Sequence, residues 1–432
     1  MLSPLDLSLI YGPIPKAATV AAALALTYLV IRKNRTWWVR VLPIVVLVCA
    51  LFVTGLTLVV NNLWKPWPEP MPIILMVWLG VALVALTLAV ARLRPSRWYG
   101  RVLSVIAAIV VITSAITATN AYFGQYPTAR AVMQLFHNPS VNLPEKEETP
   151  SDVLEVPPGK TLAEVWKAPA GLPDKGTLSE IEIPGTFRAR PAWIYLPPAY
   201  TAKPRPRLPV IVLLAGQPGT PRDWYDAGGI IENMDAFARA HNGLAPIVVM
   251  ADQLGSTTAN TLCLDSKLGQ SESYLARDVP KWIKERLTVD ERREAWTISG
   301  FSHGGTCALQ LAVRAPDVYG NFINLSGQRE PTLGTRAETV KAAFGGDEAA
   351  FIRVNPMDIL ARKRFPHTAG VIVAGKDDAL YRPADAEVFE ACRKAGMDVQ
   401  WKELPGAHDW NVWRPGFYSS LPWLAQRTGL VR

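Results

Sequence analysis

The sequence predicts an N-terminal all-α transmembrane region of four helices, followed by an α/β domain with a mostly parallel central sheet. Three observations predict this division. The first 125 residues contain four long apolar runs. Residues 1–130 carry eleven Lys or Arg and two acids, a net charge of +9, whereas the remaining residues carry 34 bases and 35 acids, a net charge of −1. After residue 181, short apolar runs rich in Val and Ile alternate with amphipathic stretches.

The four apolar runs are predicted to span a membrane as helices over residues 17–31, 41–60, 71–91 and 102–121. Roughly 20 apolar residues cross a hydrocarbon core of about 30 Å, and the last three runs reach that length. The first run is shorter and spans only if it also includes Ile14 and Pro15, or if Lys16 and Arg32 extend toward the two interfaces. A cleaved signal peptide is the alternative for this run, disfavoured because basic residues follow it instead of a small-residue cleavage site. Buried helices of a soluble protein are the alternative for all four.

The basic charge of the first part indicates an orientation in a bilayer. Nucleic-acid binding is disfavoured, because the charges lie beside apolar runs. Loops 32–40 and 92–101 each hold four Arg or Lys residues, whereas loop 61–70 holds Lys65 balanced by Glu69. Since basic loops remain cytoplasmic, both termini and everything after residue 122 are expected outside. The expected location is therefore the cell membrane, multi-pass, with the second domain extracytoplasmic.

Three segments follow along the chain: the transmembrane region at 1–125, an extracytoplasmic linker at 126–180, and the α/β domain at 181–432. The linker contains scattered prolines and an acidic run at 145–148, with one short helix expected at 161–166. Strands of the α/β domain are predicted at 192–196, 209–214, 246–250, 295–299, 321–325 and 370–374. Near-continuous apolar strands separated by helices predict a sheet that is covered on both faces.

A candidate nucleophile lies between a predicted strand and a predicted helix. The stretch Gly300-Phe301-Ser302-His303-Gly304 matches the pattern G-x-S-x-G. In the α/β-hydrolase fold this strand–turn–helix context forms a nucleophile elbow, which holds a serine in a strained turn at the carboxyl edge of the sheet. The following helix points its positive end toward the site. Ser302 is therefore predicted to be the nucleophile.

A serine hydroxyl requires a general base, and in this fold the chain order is serine, acid, histidine. His408 follows the β-like run 399–404 and is predicted to be the base, whereas His367 lies at the amino end of strand 370–374. After that strand come Asp377 and Asp378. Either carboxylate could orient the imidazole, and Asp378 is the preferred candidate.

An oxyanion hole requires two backbone N–H donors. One is expected from His303, the residue after the nucleophile, and the other from the loop after strand 209–214. That loop contains Gly216, Gln217 and Pro218, and Gln217 is the candidate donor because proline has no N–H. An ordinary Gly/Pro turn is the alternative for this loop.

With these motifs, residues 190 to 425 resemble the esterase family of α/β-hydrolases that includes esterase D-type enzymes, feruloyl and enterobactin esterases, and the antigen 85 mycolyltransferases. The resemblance rests on residues 193–197, 212–216, 300–305 and 406–410, together with Trp413. It implies the nucleophile, base and oxyanion roles for Ser302, His408 and Gln217. The chain departs from the family in having Ala215 before the loop glycine, where members carry His or Asp, and in its four-helix region, which the secreted mycolyltransferases lack.

Of the four cysteines, Cys49 lies in the second predicted helix and is expected to pack there. Cys263, Cys307 and Cys392 belong to the α/β domain. An extracytoplasmic location permits a Cys263–Cys307 disulfide, which would join the loop at 260–269 to the nucleophile helix. Three unpaired thiols are the alternative, and the sequence does not choose between them. No pattern indicates a metal site or a cofactor.

The leading functional hypothesis is a membrane-anchored, outward-facing serine esterase or acyltransferase with a covalent acyl-enzyme on Ser302. Its expected partners are the lipid bilayer and an acyl-ester substrate, from lipids, glycolipids or other cell-envelope esters. Soluble small esters are equally compatible with the predicted triad. Whether water or another hydroxyl accepts the acyl group is open, as is the oligomeric state. A transporter or channel with an accessory domain is disfavoured, because the helix interiors hold almost no charged residues. A catalytically inactive binding module or accessory domain of a membrane assembly is the second alternative.

Overall fold

The computed structural model describes residues 4–64, 70–94, 96–136, 139–144 and 153–432. Its contacts divide the chain into two compact units, Met1–Phe136 and His137–Arg432. Two predicted features, the acidic run at 145–148 and the Lys65–Glu69 charge balance of the second loop, lie outside the described residues.

Four helices of the first unit are long and apolar enough to cross a membrane: Pro13–Val30, Trp37–Trp64, Ile73–Leu93 and Trp98–Phe123. Each predicted run overlaps one of these helices. The first begins at Pro13, earlier than predicted, because a proline at the first helical position lacks only an N–H that would have no partner in the helix. The α-helices of this unit are α1 (Pro13–Val30), α2 (Leu42–Leu58, between π-helical turns), α3 (Ile73–Leu93), α4 (Trp98–Phe123) and α5 (Ala129–Gln134).

Several small side chains pack among the long helices, as is common in membrane bundles. Those buried in the shared core are Ala22, Cys49, Ala85, Ala89, Ala107 and Ala108. Arg92 lies in the last turn of α3, where its guanidinium donates to the carbonyls of Leu29 at 3.2 Å and Ile31 at 3.1 Å. These carbonyls lie at the end of α1 and lack helical partners, so Arg92 stabilises that end.

The second unit is built on one mixed sheet of eight strands in the order β12-β11-β10-β9-β5-β6-β3-β2. Its neighbouring strands are parallel except at β2–β3 and β3–β6. The strands are β1 (Val153–Leu154), β2 (Thr177–Ile181), β3 (Ala192–Leu196), β4 (Arg205–Pro206), β5 (Val210–Leu214), β6 (Ile247–Ala251), β7 (Asp265–Ser266), β8 (Gly269–Gln270), β9 (Trp296–Phe301), β10 (Asn321–Leu325), β11 (Ala369–Gly375) and β12 (Asp398–Leu404). The predicted fold class, a transmembrane-type helical region followed by a mostly parallel α/β domain, is confirmed.

Helices connect these strands and cover the sheet. They are α6 (Leu162–Val165), α7 (Asp223–Asp226), α8 (Ile230–Ala240), α9 (Ser271–Ser273), α10 (Val279–Arg286), α11 (His303–Arg314), α12 (Arg336–Phe344), α13 (Glu348–Val354), α14 (Pro356–Leu360), α15 (Tyr381–Lys394), α16 (Trp410–Tyr418) and α17 (Leu421–Arg427). The short helix α6 starts with a capping box, in which Glu164 accepts the backbone N–H of Thr161 at 2.7 Å.

Strand β5 shows why the central strands are apolar throughout. Val210, Val212 and Leu214 belong to one core cluster, whereas Ile211 and Leu213 belong to another. Successive side chains of a strand point to opposite faces, so both faces of the sheet are covered. The sequence of a strand that is buried on both faces is therefore a continuous apolar run, without alternating polar residues.

Strand β2 differs from the prediction, because four of its five residues, 177–180, lie in the stretch expected to be linker. It pairs antiparallel with β3 at one edge of the sheet. Only Leu178 and Ser179 of its five residues are buried, so its sequence lacks the continuous apolar run that marks the central strands.

Candidate active site

Ser302 lies in a sharp turn between the end of β9 at Phe301 and the start of α11 at His303. Its backbone has φ 53° and ψ −120°. A positive φ is unfavourable for a residue with a side chain, and such strain concentrates at functional sites. The Ser302 N–H donates to the carbonyl of Leu325 at 2.8 Å, which fixes the turn to the neighbouring strand β10. The serine is thereby presented at the carboxyl edge of the sheet.

The glycines of the G-x-S-x-G motif permit close backbone approach. A Cβ on Gly304 would lie 2.4 Å from the carbonyl oxygen of Leu214, and one on Gly300 would lie 2.5 Å from the carbonyl carbon of Gly304. Because these contacts are with backbone, no side chain can move aside to relieve them. The turn therefore requires glycine on both sides of the serine.

Three of the predicted site residues lie in one hydrogen-bonded chain. The Nε2 atom of His408 lies 2.8 Å from Ser302 Oγ, and its Nδ1 atom lies 3.0 Å from Asp378 Oδ2. The carboxylate can only accept, so Nδ1 carries the proton and the Nε2 lone pair faces the serine hydroxyl. This is the arrangement in which an imidazole can remove the hydroxyl proton.

The structure brings Asp378, and not Asp377, to the imidazole. Asp378 is 5% exposed, and its Oδ1 atom accepts the backbone N–H groups of Tyr381 at 2.9 Å and Leu380 at 3.3 Å. The side chain of Asp377 is exposed. His367 lies before β11, at the amino end of that strand and thus at the opposite edge of the sheet.

Aromatic rings enclose the imidazole of His408. Tyr381 stacks on it with ring centroids 3.9 Å apart, and Trp413 meets it edge to face at 5.1 Å. Phe301 in turn stacks on Trp413 at 4.6 Å. Tyr381 is not among the residues predicted from the sequence, because a tyrosine at the start of a helix gives no local signal of this contact.

The loop after β5 runs directly beside Ser302. A Cβ on Gly216 would lie 3.3 Å from the Cβ of Ser302 and 2.7 Å from the Phe301 ring. Gln217 follows, and its side chain donates to the carbonyl of Thr258 at 2.9 Å and accepts from Asn260 at 2.9 Å. Arg190 also holds this loop by donating to the carbonyl of Gly219 at 3.0 Å.

His303 is buried at the start of α11, with 6% of its surface exposed. Its Nε2 atom lies 3.0 Å from Asn260 Oδ1, and its Nδ1 atom lies 3.5 Å from Cys307 Sγ. Burial lowers the pKa of His303 to about 4, so the side chain is neutral at neutral pH.

Cys263 and Cys307 form a disulfide with their Cα atoms 5.5 Å apart. This bond joins the loop that contains Asn260 to helix α11. Cys263, His303 and Cys307 lie close enough to hold a metal ion, but the disulfide leaves neither cysteine with a thiolate to bind one. Cys49 and Cys392 are free and buried, and burial raises the pKa of Cys392 to about 12, so its thiol is inert.

Burial of neutral His303 should make stability depend on pH. An unfolded histidine has a pKa of about 6.5, so the folded chain, with a His303 pKa of about 4, binds the proton more weakly. The stability gained from burying neutral His303 is therefore fully present above pH 6.5 and is lost as the pH falls toward 4. We expect about 2 kcal/mol of the unfolding free energy to disappear between about pH 7 and pH 4.5.

The variant His303→Gln tests this expectation. Its unfolding free energy should lack the pH-dependent loss when the urea midpoints of wild type and variant are compared in detergent. An equal loss in wild type and variant would contradict the prediction.

Comparison with known proteins identifies relatives of the chain. The sequence model of the family described as Putative esterase matches residues 185–424. An uncharacterized protein of Corynebacterium glutamicum is 36% identical over 421 residues, which cover 96% of this chain and 95% of that protein. The solved structures similar to this one include an S-formylglutathione hydrolase from Agrobacterium tumefaciens (21% identity, 59% of this chain and 97% of that one, TM-score 0.48) and a ferulic acid esterase from Anaeromyces mucronatus (14%, 61% and 95%, TM-score 0.46). The resemblance predicted from the sequence is confirmed by the family match, which covers more than half of the chain, and the chain belongs to the Putative esterase family.

Proposed function

We propose that this chain is a membrane-anchored serine carboxylic-ester hydrolase that works through a covalent acyl-enzyme. Ser302 is the nucleophile, His408 the general base and Asp378 the carboxylate that orients it. The observation that supports this most directly is the continuous contact from Ser302 Oγ to His408 at 2.8 Å and from His408 to Asp378 at 3.0 Å.

In the acylation step, Ser302 Oγ attacks the ester carbonyl carbon while His408 Nε2 takes the hydroxyl proton. Asp378 Oδ2 stabilises the imidazolium that forms. The carbonyl oxygen becomes an oxyanion, and the backbone N–H groups of Gln217 and His303 bind it. His408 then returns the proton to the alcohol as the C–O bond breaks, leaving the acyl group on the serine.

In the second step, water takes the place of the alcohol. His408 removes a proton from it, the oxygen attacks the acyl carbon, and the acid is released as Ser302 recovers its proton. Hydrolysis is the proposed outcome because the chain belongs to an esterase family. If a sugar or lipid hydroxyl takes the place of water, the same acyl-enzyme transfers its acyl group.

The membrane placement is a second part of the proposal. Four helices of sufficient length and apolar composition support anchoring. The basic loops at 32–40 and 92–101 support an orientation with the catalytic unit outside. The Cys263–Cys307 disulfide fits an oxidising compartment. Acyl esters of lipids or of the cell envelope are therefore the proposed substrate class.

One experiment tests the catalytic and topological parts together. A membrane-impermeant fluorophosphonate probe is applied to intact and to permeabilised cells that express the wild-type chain, with Ser302→Ala as the control. Labelling of intact cells that vanishes in the variant supports an outward-facing activated serine. Labelling only after permeabilisation supports the serine and overturns the orientation. A folded wild-type chain that is not labelled in either case contradicts the enzyme assignment, and the binding-module hypothesis takes its place.

A further inference from the structure

We propose that Asn260 is a positioning residue that holds both oxyanion-binding residues, Gln217 and His303, in one geometry. This inference rests on the proposed function, because the oxyanion hole is part of it. Gln217 and His303 come from different elements of the fold, the loop after β5 and the start of α11. A residue that contacts both can fix the angle between their backbone N–H groups.

The Asn260 side chain contacts both residues directly. Its Nδ2 donates to Gln217 Oε1 at 2.9 Å and to the carbonyl of Thr332 at 3.2 Å. Its Oδ1 lies 3.0 Å from His303 Nε2 and accepts the backbone N–H of Leu262 at 2.8 Å. The amide therefore forms four hydrogen bonds, which use both its donors and both lone pairs of its acceptor.

These partners determine the direction of each hydrogen bond. The Thr332 carbonyl can only accept and the Leu262 N–H can only donate, so the amide nitrogen and oxygen cannot be exchanged. His303 Nε2 must then donate to Oδ1, which makes His303 the neutral tautomer with its proton on Nε2. Burial, which lowers the pKa of His303, favours the same neutral form.

Asn260 is itself held in place by a rigid segment. The disulfide joins Cys263 to Cys307 on α11, the helix that begins at His303. Gln310 of the same helix donates to the carbonyl of Cys263 at 2.6 Å. On the other side, Gln253 donates to the carbonyl of Ala215 at 2.5 Å, next to the loop glycine. The segment 253–263 thus spans the two halves of the oxyanion hole, and Asn260 is the point where they meet.

Donors that are already aimed at the developing oxyanion lower the barrier because nothing has to reorganise during the reaction. Asn260→Ala releases both side chains at once. Asn260→Asp has a different effect: the carboxylate still accepts from His303 and from the Leu262 N–H, but it cannot donate to Gln217 or Thr332. We expect either change to lower kcat by about 10- to 100-fold, with KM altered by less than about 3-fold, since the ground-state carbonyl depends little on this geometry.

The matched control is Ser271→Ala. Ser271 is buried in the same region and donates to Thr261 Oγ1 at 2.8 Å. The side chains of Gln217 and His303 bond to other residues, namely Thr258, Asn260 and Cys307. This variant should keep kcat within about 2-fold of wild type even if its melting temperature falls as far as that of Asn260→Ala. Rates are divided by the fraction of sites labelled by a fluorophosphonate, so that loss of folded protein does not lower the measured kcat.

The pH dependence of Asn260→Asp separates positioning from a general loss of structure. At low pH the introduced carboxyl group is protonated and can again donate to Gln217. The ratio of variant to wild-type kcat should therefore rise as the pH is lowered from about 7 toward about 4, the range in which an aspartic acid with an ordinary pKa of about 3.9 takes up its proton. Taking the ratio removes the titration of the catalytic base, which wild type and variant share.

The outcomes are distinct. A fall in kcat for both Asn260 variants, a normal rate for Ser271→Ala and a ratio that rises at low pH support the positioning role. An active wild type whose Asn260 variants keep kcat within about 2-fold overturns the role and leaves the proposed function standing. A folded wild type with no hydrolysis and no labelling overturns the proposed function, and the positioning role with it.

Discussion

Replacement of Ser302 or His408 by alanine should each lower kcat for ester hydrolysis by a factor on the order of 10⁴ to 10⁶. The two atoms proposed to exchange the proton, Ser302 Oγ and His408 Nε2, lie 2.8 Å apart. Without the serine there is no atom to form the acyl-enzyme, and without the histidine the hydroxyl keeps its proton. Because the two act as a unit, the double variant should lose little more than either single one.

Steady-state hydrolysis of a nitrophenyl ester by the detergent-solubilised chain measures kcat for each variant. His367→Ala is the matched control, since this histidine lies at the amino end of β11 and should leave kcat within about 2-fold. Retention of more than about 1% of kcat by Ser302→Ala would assign the nucleophile elsewhere.

The fold and the proposed nucleophile could be predicted from sequence because each leaves a local pattern. Central strands that are buried on both faces leave continuous apolar runs, as in β5. The elbow is recognisable by its glycines. A Cβ on Gly300 would lie 2.5 Å from a backbone atom and one on Gly304 would lie 2.4 Å from another, so both positions require glycine. His408 was placed by chain order together with its position after β12. Each of these signals depends on residues close in sequence.

Features that depend on distant residues left no such pattern. Strand β2 was predicted to be part of the linker. An edge strand buries only part of its length, so its sequence lacks a continuous apolar run. Asn260 meets Gln217 and His303 only in the folded chain, and nothing in the sequence around it indicates that contact. Whether Cys263 and Cys307 form a disulfide or remain unpaired thiols could not be decided from sequence, because the bond depends on where the loop at 260–269 lies against α11. Whether Asp377 or Asp378 faces the imidazole is likewise decided by one turn of the backbone.

The two adjacent carboxylates, Asp377 and Asp378, provide a matched pair of variants. Asp378→Asn should lower kcat by about 10⁴-fold, whereas Asp377→Asn should leave it within about 2-fold. In Asp378 the Oδ1 atom accepts the N–H groups of Tyr381 and Leu380, and Oδ2 faces His408. The carbonyl oxygen of the introduced amide must occupy the Oδ1 position, because only an acceptor fits there, so its NH₂ group faces His408 Nδ1.

An NH₂ group in that place requires Nδ1 to accept, which moves the imidazole proton to Nε2 and points it at Ser302 Oγ. The histidine then cannot take the hydroxyl proton, although the positions of the atoms are almost unchanged. The two variants remove one negative charge each from adjacent residues, so a general electrostatic effect would lower both rates alike. Steady-state kcat and melting temperature, measured for both, separate these explanations. A large loss in Asp377→Asn with normal activity in Asp378→Asn would show that the other carboxylate orients His408 during the reaction.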